Sequence, residues 1–84
     1  MADTFEFEDL KGILINRIGV DAADIPDDTQ TSFEAVGLDS LAIMEIQLEV
    51  EQRYGFTVSE EDAAAIRTFQ DAISYVQGQL SETA

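Results

Sequence analysis

Ser40 sits in the string Val36-Gly37-Leu38-Asp39-Ser40-Leu41, where an irregular stretch containing glycine gives way to a long helical pattern. That placement puts a hydroxyl at the mouth of a helix. The first turn of a helix leaves backbone N–H groups without intrahelical partners and holds the positive end of the macrodipole, so an anion attached there is favoured. A phosphoester on Ser40 suits the position. Asp and Ser are equally the ordinary residues of a helix start, where a side-chain oxygen accepts from a free N–H. From the Asp-Ser pair alone, capping is the simpler reading.

Catalysis by Ser40 itself lacks the necessary partners. A nucleophilic serine needs a base, commonly histidine, and a group that orients the base. The chain has no histidine. It also lacks the Gly-x-Ser-x-Gly elbow of hydrolases, since Ala42 stands two residues after Ser40. Lys11, the sole lysine, belongs to a predicted first helix and is poorly placed to activate Ser40. The hydroxyl therefore reads as a substrate for another enzyme, and the protein as a non-enzyme. Cysteine is absent too, which removes disulfides, thiolate chemistry and zinc sites of the cysteine type. Asp21, Asp24, Asp27 and Asp28 do not follow the calcium-loop pattern with its central Gly and final Glu. Only weak, non-specific divalent binding is expected of them, and no metal site.

The elements that position Ser40 follow from apolar spacing. Phe7, Leu10, Leu14 and Ile18 recur at helical intervals and predict helix I from about Thr4 to Ile18, capped by Asp3 with Glu6 and stopped by Gly19. Val20 to Leu38 is rich in Asp and Thr, holds the sole proline, and reads as a long loop pinned to the core through Ile25, Phe33 and Leu38. Such loops tend to be functional or disordered. Helix II is predicted from about Ser40 to Tyr54, with Leu41, Met44 and Leu48, joined by Ile43 and Val50, facing inward and Gly55 ending it. Ser59-Glu60-Glu61-Asp62 is a capping signature for a short helix III around Glu60 to Ala65. Thr68 with Asp71 opens helix IV, whose stripe is Phe69, Ala72, Ile73, Val76 and Leu80; Ser81 to Ala84 is expected to fray.

Size and charge narrow the role. At 84 residues there is room for one core, in which a chain of this size buries on the order of 60% of its unfolded surface. Four Lys and Arg against eighteen Asp and Glu give a net charge of −14, which repels nucleic acid and anionic membranes and favours basic protein partners. A hydrophobic share of 45% is too high for an acidic disordered tail. No apolar run approaches the roughly 18 residues of a membrane span, and the N-terminal Met1-Ala2-Asp3-Thr4 lacks the basic and apolar regions of a signal peptide. The expected compartment is the cytosol, or its plastid or mitochondrial equivalent after processing.

The whole string from Val36 to Leu41 resembles the attachment motif of acyl carrier proteins, in which the Ser of an Asp-Ser-Leu triplet bears 4′-phosphopantetheine. The likeness extends over about residues 5 to 80: the loop with Ile25-Pro26, Phe33 and Gly37 ahead of the motif, and the Glu60-Glu61-Asp62-Ala63 run before the Thr68-initiated last helix. It implies an all-α fold, a small four-helix bundle with three longer helices, a short helix III and a long loop between helices I and II. It also implies a single carrier domain over residues 1–84 that works as a monomer. A phosphopantetheinyl transferase would use the Ser40 oxygen to attack the β-phosphate of coenzyme A, releasing 3′,5′-adenosine bisphosphate. Asp39 would help hold that enzyme's Mg²⁺, a hard cation suited to carboxylate oxygen, and Leu41 would serve as a motif contact beside the arm.

Glu45 and Glu49 are four residues apart on predicted helix II, a like-charge spacing that costs an isolated helix roughly 0.2–0.5 kcal/mol. In carriers of this type the acidic face of helix II docks on Arg and Lys patches of ketosynthases, acyltransferases and reductases; the resemblance assigns that role to Glu45, Glu49 and Glu51. A merely solvated face is the alternative for each. Ala42, Ala64 and Ala72 are small residues near predicted helix contacts, where a groove for an acyl chain can open; simple close packing of the helices is the commoner reading of such alanines. Peptidyl carriers usually show Gly-Gly-x-Ser, from which Gly37-Leu38-Asp39-Ser40 departs. Fatty-acid carriers commonly have an acidic residue where Ala42 stands, which leans the reading slightly toward polyketide or another specialised pathway, with fatty-acid synthesis a close second. The rival from another class is an acidic helical adaptor that binds a basic partner non-covalently.

Overall fold

The computed structural model describes residues 5–83, with side chains through residue 81. Helix α1 spans Phe7–Ile13 and runs straight into a π-helical turn, Leu14–Ile18. Its start lies later than the sequence spacing suggests. Phe5 is fully buried against Tyr54, ring centroids 5.8 Å apart and edge-on, and its carbonyl accepts from Gln77 Nε2 at 2.9 Å. An extended Glu6 follows, so the helix cannot begin before Phe7. The expected cap at Asp3, like Thr4, lies outside the described residues; in its place Asp9 Oδ2 accepts the Glu6 N–H at 2.9 Å. Gly19 closes the helix as expected, in the left-handed conformation at φ +90°, with its N–H and that of Val20 both donating to the Leu14 carbonyl at 2.9 Å.

The loop from Gly19 to Asp39 contains two 3₁₀ turns, Ala22–Asp24 and Glu34–Val36. Ile25 and Phe33 are buried and Leu38 is half-buried against the core, the three anchor points read from the sequence. Backbone bonds then stitch the loop to the start of the last helix. The Phe33 N–H donates to the Arg67 carbonyl at 2.9 Å and the Gln70 N–H to the Thr29 carbonyl at 2.8 Å, while the Phe33 and Phe69 rings meet edge-on at 4.9 Å.

Helix α2 spans Ser40–Tyr54 and ends at Gly55, φ +78°; α3 spans Glu60–Ala65, capped by Ser59 Oγ, which accepts the Asp62 N–H at 3.1 Å. Both match the limits expected from sequence. Helix α4 spans Phe69–Thr83, so the stretch from Ser81 stays helical through Thr83 where fraying was expected. At its start Thr68 Oγ1 accepts the Asp71 N–H at 3.0 Å, and Asp71 Oδ2 accepts the N–H groups of Arg67 and Thr68, each at 3.1 Å. Those two backbone donors, Arg67 first, hold the Asp71 carboxyl below its ordinary pKa.

Helix α2 departs from the expected inward face. Ile46 and Val50 are buried and Ile43 packs on the core, whereas Leu41 and Met44 are 66% and 61% exposed and Leu48 is also exposed. Residues 41, 44 and 48 and residues 43, 46 and 50 are both spaced i, i+3, i+7, so periodicity alone fits either set. The core takes the second because Phe5, Leu10 and Val76 line the same cleft as Ile43, Ile46 and Val50. The architecture is an all-α four-helix bundle around one buried cluster.

Candidate functional site

Gly37 makes the turn that delivers the motif. Its φ of +88° is a left-handed conformation that costs a residue with a Cβ about 1–2 kcal/mol, and its N–H donates to the Glu34 carbonyl at 2.9 Å. The chain then enters α2 through Asp39, which is extended (φ −91°, ψ −179°) and whose Oδ1 accepts the Ala42 N–H at 2.9 Å. The cap and the hydroxyl thus belong to neighbouring residues, and the two roles weighed for the Asp-Ser pair separate. Asp39 caps with one carboxylate oxygen, and Oδ2 has no hydrogen-bond partner among the described residues. Ser40 is the first residue of α2 and is exposed, as are Asp39 and Leu41. An exposed hydroxyl on the first turn of a 15-residue helix fits a bulky phosphodiester, because no neighbour must move and the dipole favours the charge.

Leu41, Met44 and Leu48 form an apolar stripe along α2 and, with Glu45, Glu51 and Val58, line an open groove of about 350 Å³. Met44, Leu48 and Val58 are additions to the residues singled out from sequence. The signal for Met44 and Leu48 was the doubled apolar register of α2, which placed both in the core; Val58 lies beyond the helix and had no such signal.

The three acidic candidates differ in what holds them. Glu49 is engaged on both oxygens, by Arg17 Nη1 at 3.0 Å and Arg53 Nη2 at 2.9 Å, and its side chain is 21% exposed. Glu51 Oε2 accepts the Val58 N–H at 2.7 Å, tying α2 to the loop before α3. Glu45 has no hydrogen-bond or ion-pair partner among the described residues. Only Glu45 and Glu51 share the groove with Leu41.

Behind that groove an apolar cleft of about 20 Å³ lies between α2 and α4, lined in part by Ile46, Val50, Ile66, Ala72 and Val76. Of the three small residues expected near helix contacts, Ala72 lines this cleft and Ala42 and Ala64 do not. Two aspartates of the loop have local roles. Asp27 Oδ1 lies 3.6 Å from Lys11 Nζ, and Asp28 Oδ1 accepts the Gln30 N–H at 2.8 Å. Among the described residues no three Asp or Glu converge as metal ligands, and no helix is long and apolar enough to cross a membrane.

The sequence pattern of the phosphopantetheine attachment site family matches residues 8–76. An acyl carrier protein of Solidesulfovibrio magneticus is 36% identical over 75 residues, covering 89% of this chain and 95% of the relative. The fold superimposes on the actinorhodin apo acyl carrier protein of S. coelicolor with a TM-score of 0.84 at 32% identity, covering 98% of each chain. It superimposes on the holo form with a TM-score of 0.80 at 31% identity, covering 100% of each. Phosphopantetheine attachment is thus the property shared by the matched pattern and the holo neighbour, and 4′-phosphopantetheine is the prosthetic group that goes with this fold. From the Asp39–Leu41 motif at the mouth of α2 to the Thr68-capped last helix, this chain belongs to the acyl carrier protein family.

Proposed function

We propose that Ser40 is the attachment point of 4′-phosphopantetheine, and that the protein is a discrete, non-catalytic carrier of acyl or polyketide intermediates. The observation that supports this most is the exposed Ser40 hydroxyl on the first residue of α2, with Asp39 capping beside it, in a chain that has no histidine to act as its base. When bound, the group supplies a terminal thiol on which an acyl chain rides as a thioester. The Ser40 oxygen attacks the β-phosphate of coenzyme A in a transferase active site; the new phosphodiester forms as the bond to 3′,5′-adenosine bisphosphate breaks, and the hydroxyl proton passes to a base of that enzyme. The Asp39 carboxylate, with one oxygen outside its capping bond, assists at the transferase's Mg²⁺.

Docking uses the stripe of Leu41, Met44 and Leu48 with Glu45 and Glu51 at its margin, offered to apolar and basic surfaces of the transferase and of ketosynthases, acyltransferases or reductases. Glu49 contributes less, since Arg17 and Arg53 neutralise it. Several of the solved neighbours are carriers of the actinorhodin polyketide synthase, which supports a slight lean to polyketide or another specialised pathway over fatty-acid synthesis. A cytosolic monomer with one carrier domain fits this role. The test incubates the protein with a broad-specificity transferase, Mg²⁺ and coenzyme A and compares intact masses. Wild type gains one phosphopantetheine and Ser40→Ala gains none; a folded wild type that gains nothing overturns the proposal.

A further inference from the structure

The cleft between α2 and α4 is apolar apart from two side chains in its lining, Gln47 and Tyr75. Their polar groups are in different states. The Tyr75 hydroxyl donates to Asp62 Oδ2 at 2.9 Å. The carboxamide of Gln47, half-buried, has no hydrogen-bond partner among the described residues. Gln47 and Val58 also line the outer groove with Leu41, Met44 and Leu48, so they stand where the open groove meets the interior cleft. Gln47 follows Ser40 by seven residues, about 10 Å along the helix axis.

A carboxamide offers two N–H donors and a carbonyl acceptor. At the entrance to an apolar space, a passing hydrocarbon strips water from it and returns nothing, whereas a carbonyl or hydroxyl replaces the lost bond. The cleft has room for about one water molecule and must widen to admit a chain. Val58 and Ile66, which bracket α3 in sequence, form part of its wall; α3 itself buries no residue, so that wall is held by Ile66 against the core and by the Glu51–Val58 and Tyr75–Asp62 hydrogen bonds rather than by packing of α3.

Building on the carrier reading above, we infer that Gln47 is a specificity-determining residue for the carried chain. Its amide favours cleft entry of chains with an oxygen function at the mouth over saturated chains of equal length. The preference in wild type is roughly tenfold in cleft occupancy, the worth of one ordinary hydrogen bond.

The test loads wild type, Gln47→Leu and Gln47→Glu with octanoyl, 3-oxooctanoyl and 3-hydroxyoctanoyl phosphopantetheine from the corresponding acyl-coenzyme A thioesters through a broad-specificity transferase, which releases 3′,5′-adenosine bisphosphate. Cleft occupancy is read from nuclear Overhauser effects between the chain and the Val50 and Val76 methyls, together with the shift of the Gln47 side-chain amide protons. In wild type the 3-oxo chain should occupy the cleft about ten times more than octanoyl and move the amide protons. Gln47→Leu should abolish or reverse that preference. Gln47→Glu, which keeps the shape but removes both donors, should lose the preference for the 3-oxo chain and keep it for the 3-hydroxy chain, a split that a structural role does not produce. Equal occupancy by octanoyl and 3-oxooctanoyl in wild type, or a 3-oxo preference that survives in Gln47→Glu, overturns the inference alone. A folded protein that accepts no chain overturns the Ser40 assignment, and this inference with it.

Discussion

Arg17 Nη1 lies 3.0 Å from Glu49 Oε1, joining the π-helical end of the first helix to the middle of α2 across 32 residues of sequence. Arg53 takes the other oxygen at 2.9 Å from one turn further along α2. One carboxylate shared by two guanidinium groups is an internal tie, and a poor docking charge. Glu49→Gln should therefore lower stability by about 1 kcal/mol in urea unfolding, while Glu45→Gln stays within about 0.5 kcal/mol of wild type. The order should reverse for modification by a transferase. There Glu45→Gln lowers kcat/KM several-fold, and less at high salt where the pairing is screened; Glu49→Gln has the smaller effect.

The exposed stripe of α2 separates fold from docking. Ile46→Ala should cost about 2–5 kcal/mol, as buried isoleucines do, and Met44→Ala should stay within about 0.5 kcal/mol. Met44→Ala should instead slow modification or a partner reaction. Denaturant midpoints together with transferase kinetics check both, and a Met44→Ala variant that unfolds early would restore the first apolar register to the core.

Much of the site was legible because its elements are marked by local chemistry. Asp39 and Ser59 cap and Gly55 stops, so α2 begins and ends, and α3 begins, where those residues stand. The start of α1 was not legible, since it is set by Phe5 reaching Tyr54 and by the Gln77 bond to its carbonyl, contacts from elsewhere in the chain. Nor could spacing choose between the two apolar registers of α2. Glu45 and Glu49 likewise look alike on a helix until Arg17 arrives from 32 residues away. The π-helical turn at Leu14–Ile18 has no signature beyond Gly19, which stops either kind of helix.

Acid should erode one specific cap. Asp71 has its carboxyl pKa depressed in the fold by the Arg67 and Thr68 N–H groups, so its contribution is present above the unfolded-state pKa and is lost as pH falls through the folded value. Asp71→Asn should be less stable than wild type near neutral pH, and the difference should shrink as pH drops through the carboxylate range. Urea midpoints measured across that range check it; a difference that stays constant with pH would contradict the assignment.

The bond from Tyr75 to Asp62 holds α3 against α4. Tyr75→Phe keeps the ring, which meets Phe56 edge-on at 6.2 Å, and removes only that hydroxyl. Hydrogen exchange should quicken at the amides of α3 and of the residue that closes it, Ala63 and Ile66 among them, with α1 and α4 unchanged. A uniform rise across the chain would point to global destabilisation instead.

The central claim is that one particular oxygen, at the first residue of α2, accepts the prosthetic arm. After reaction with coenzyme A and a transferase proven active on a control carrier, cleavage at Arg17 and Arg53 releases residues 18–53, which contain Ser32 as well as Ser40. Tandem mass spectrometry of that fragment should place a single phosphopantetheine on Ser40. An arm on Ser32, or an unmodified fragment from correctly folded protein, would contradict the account.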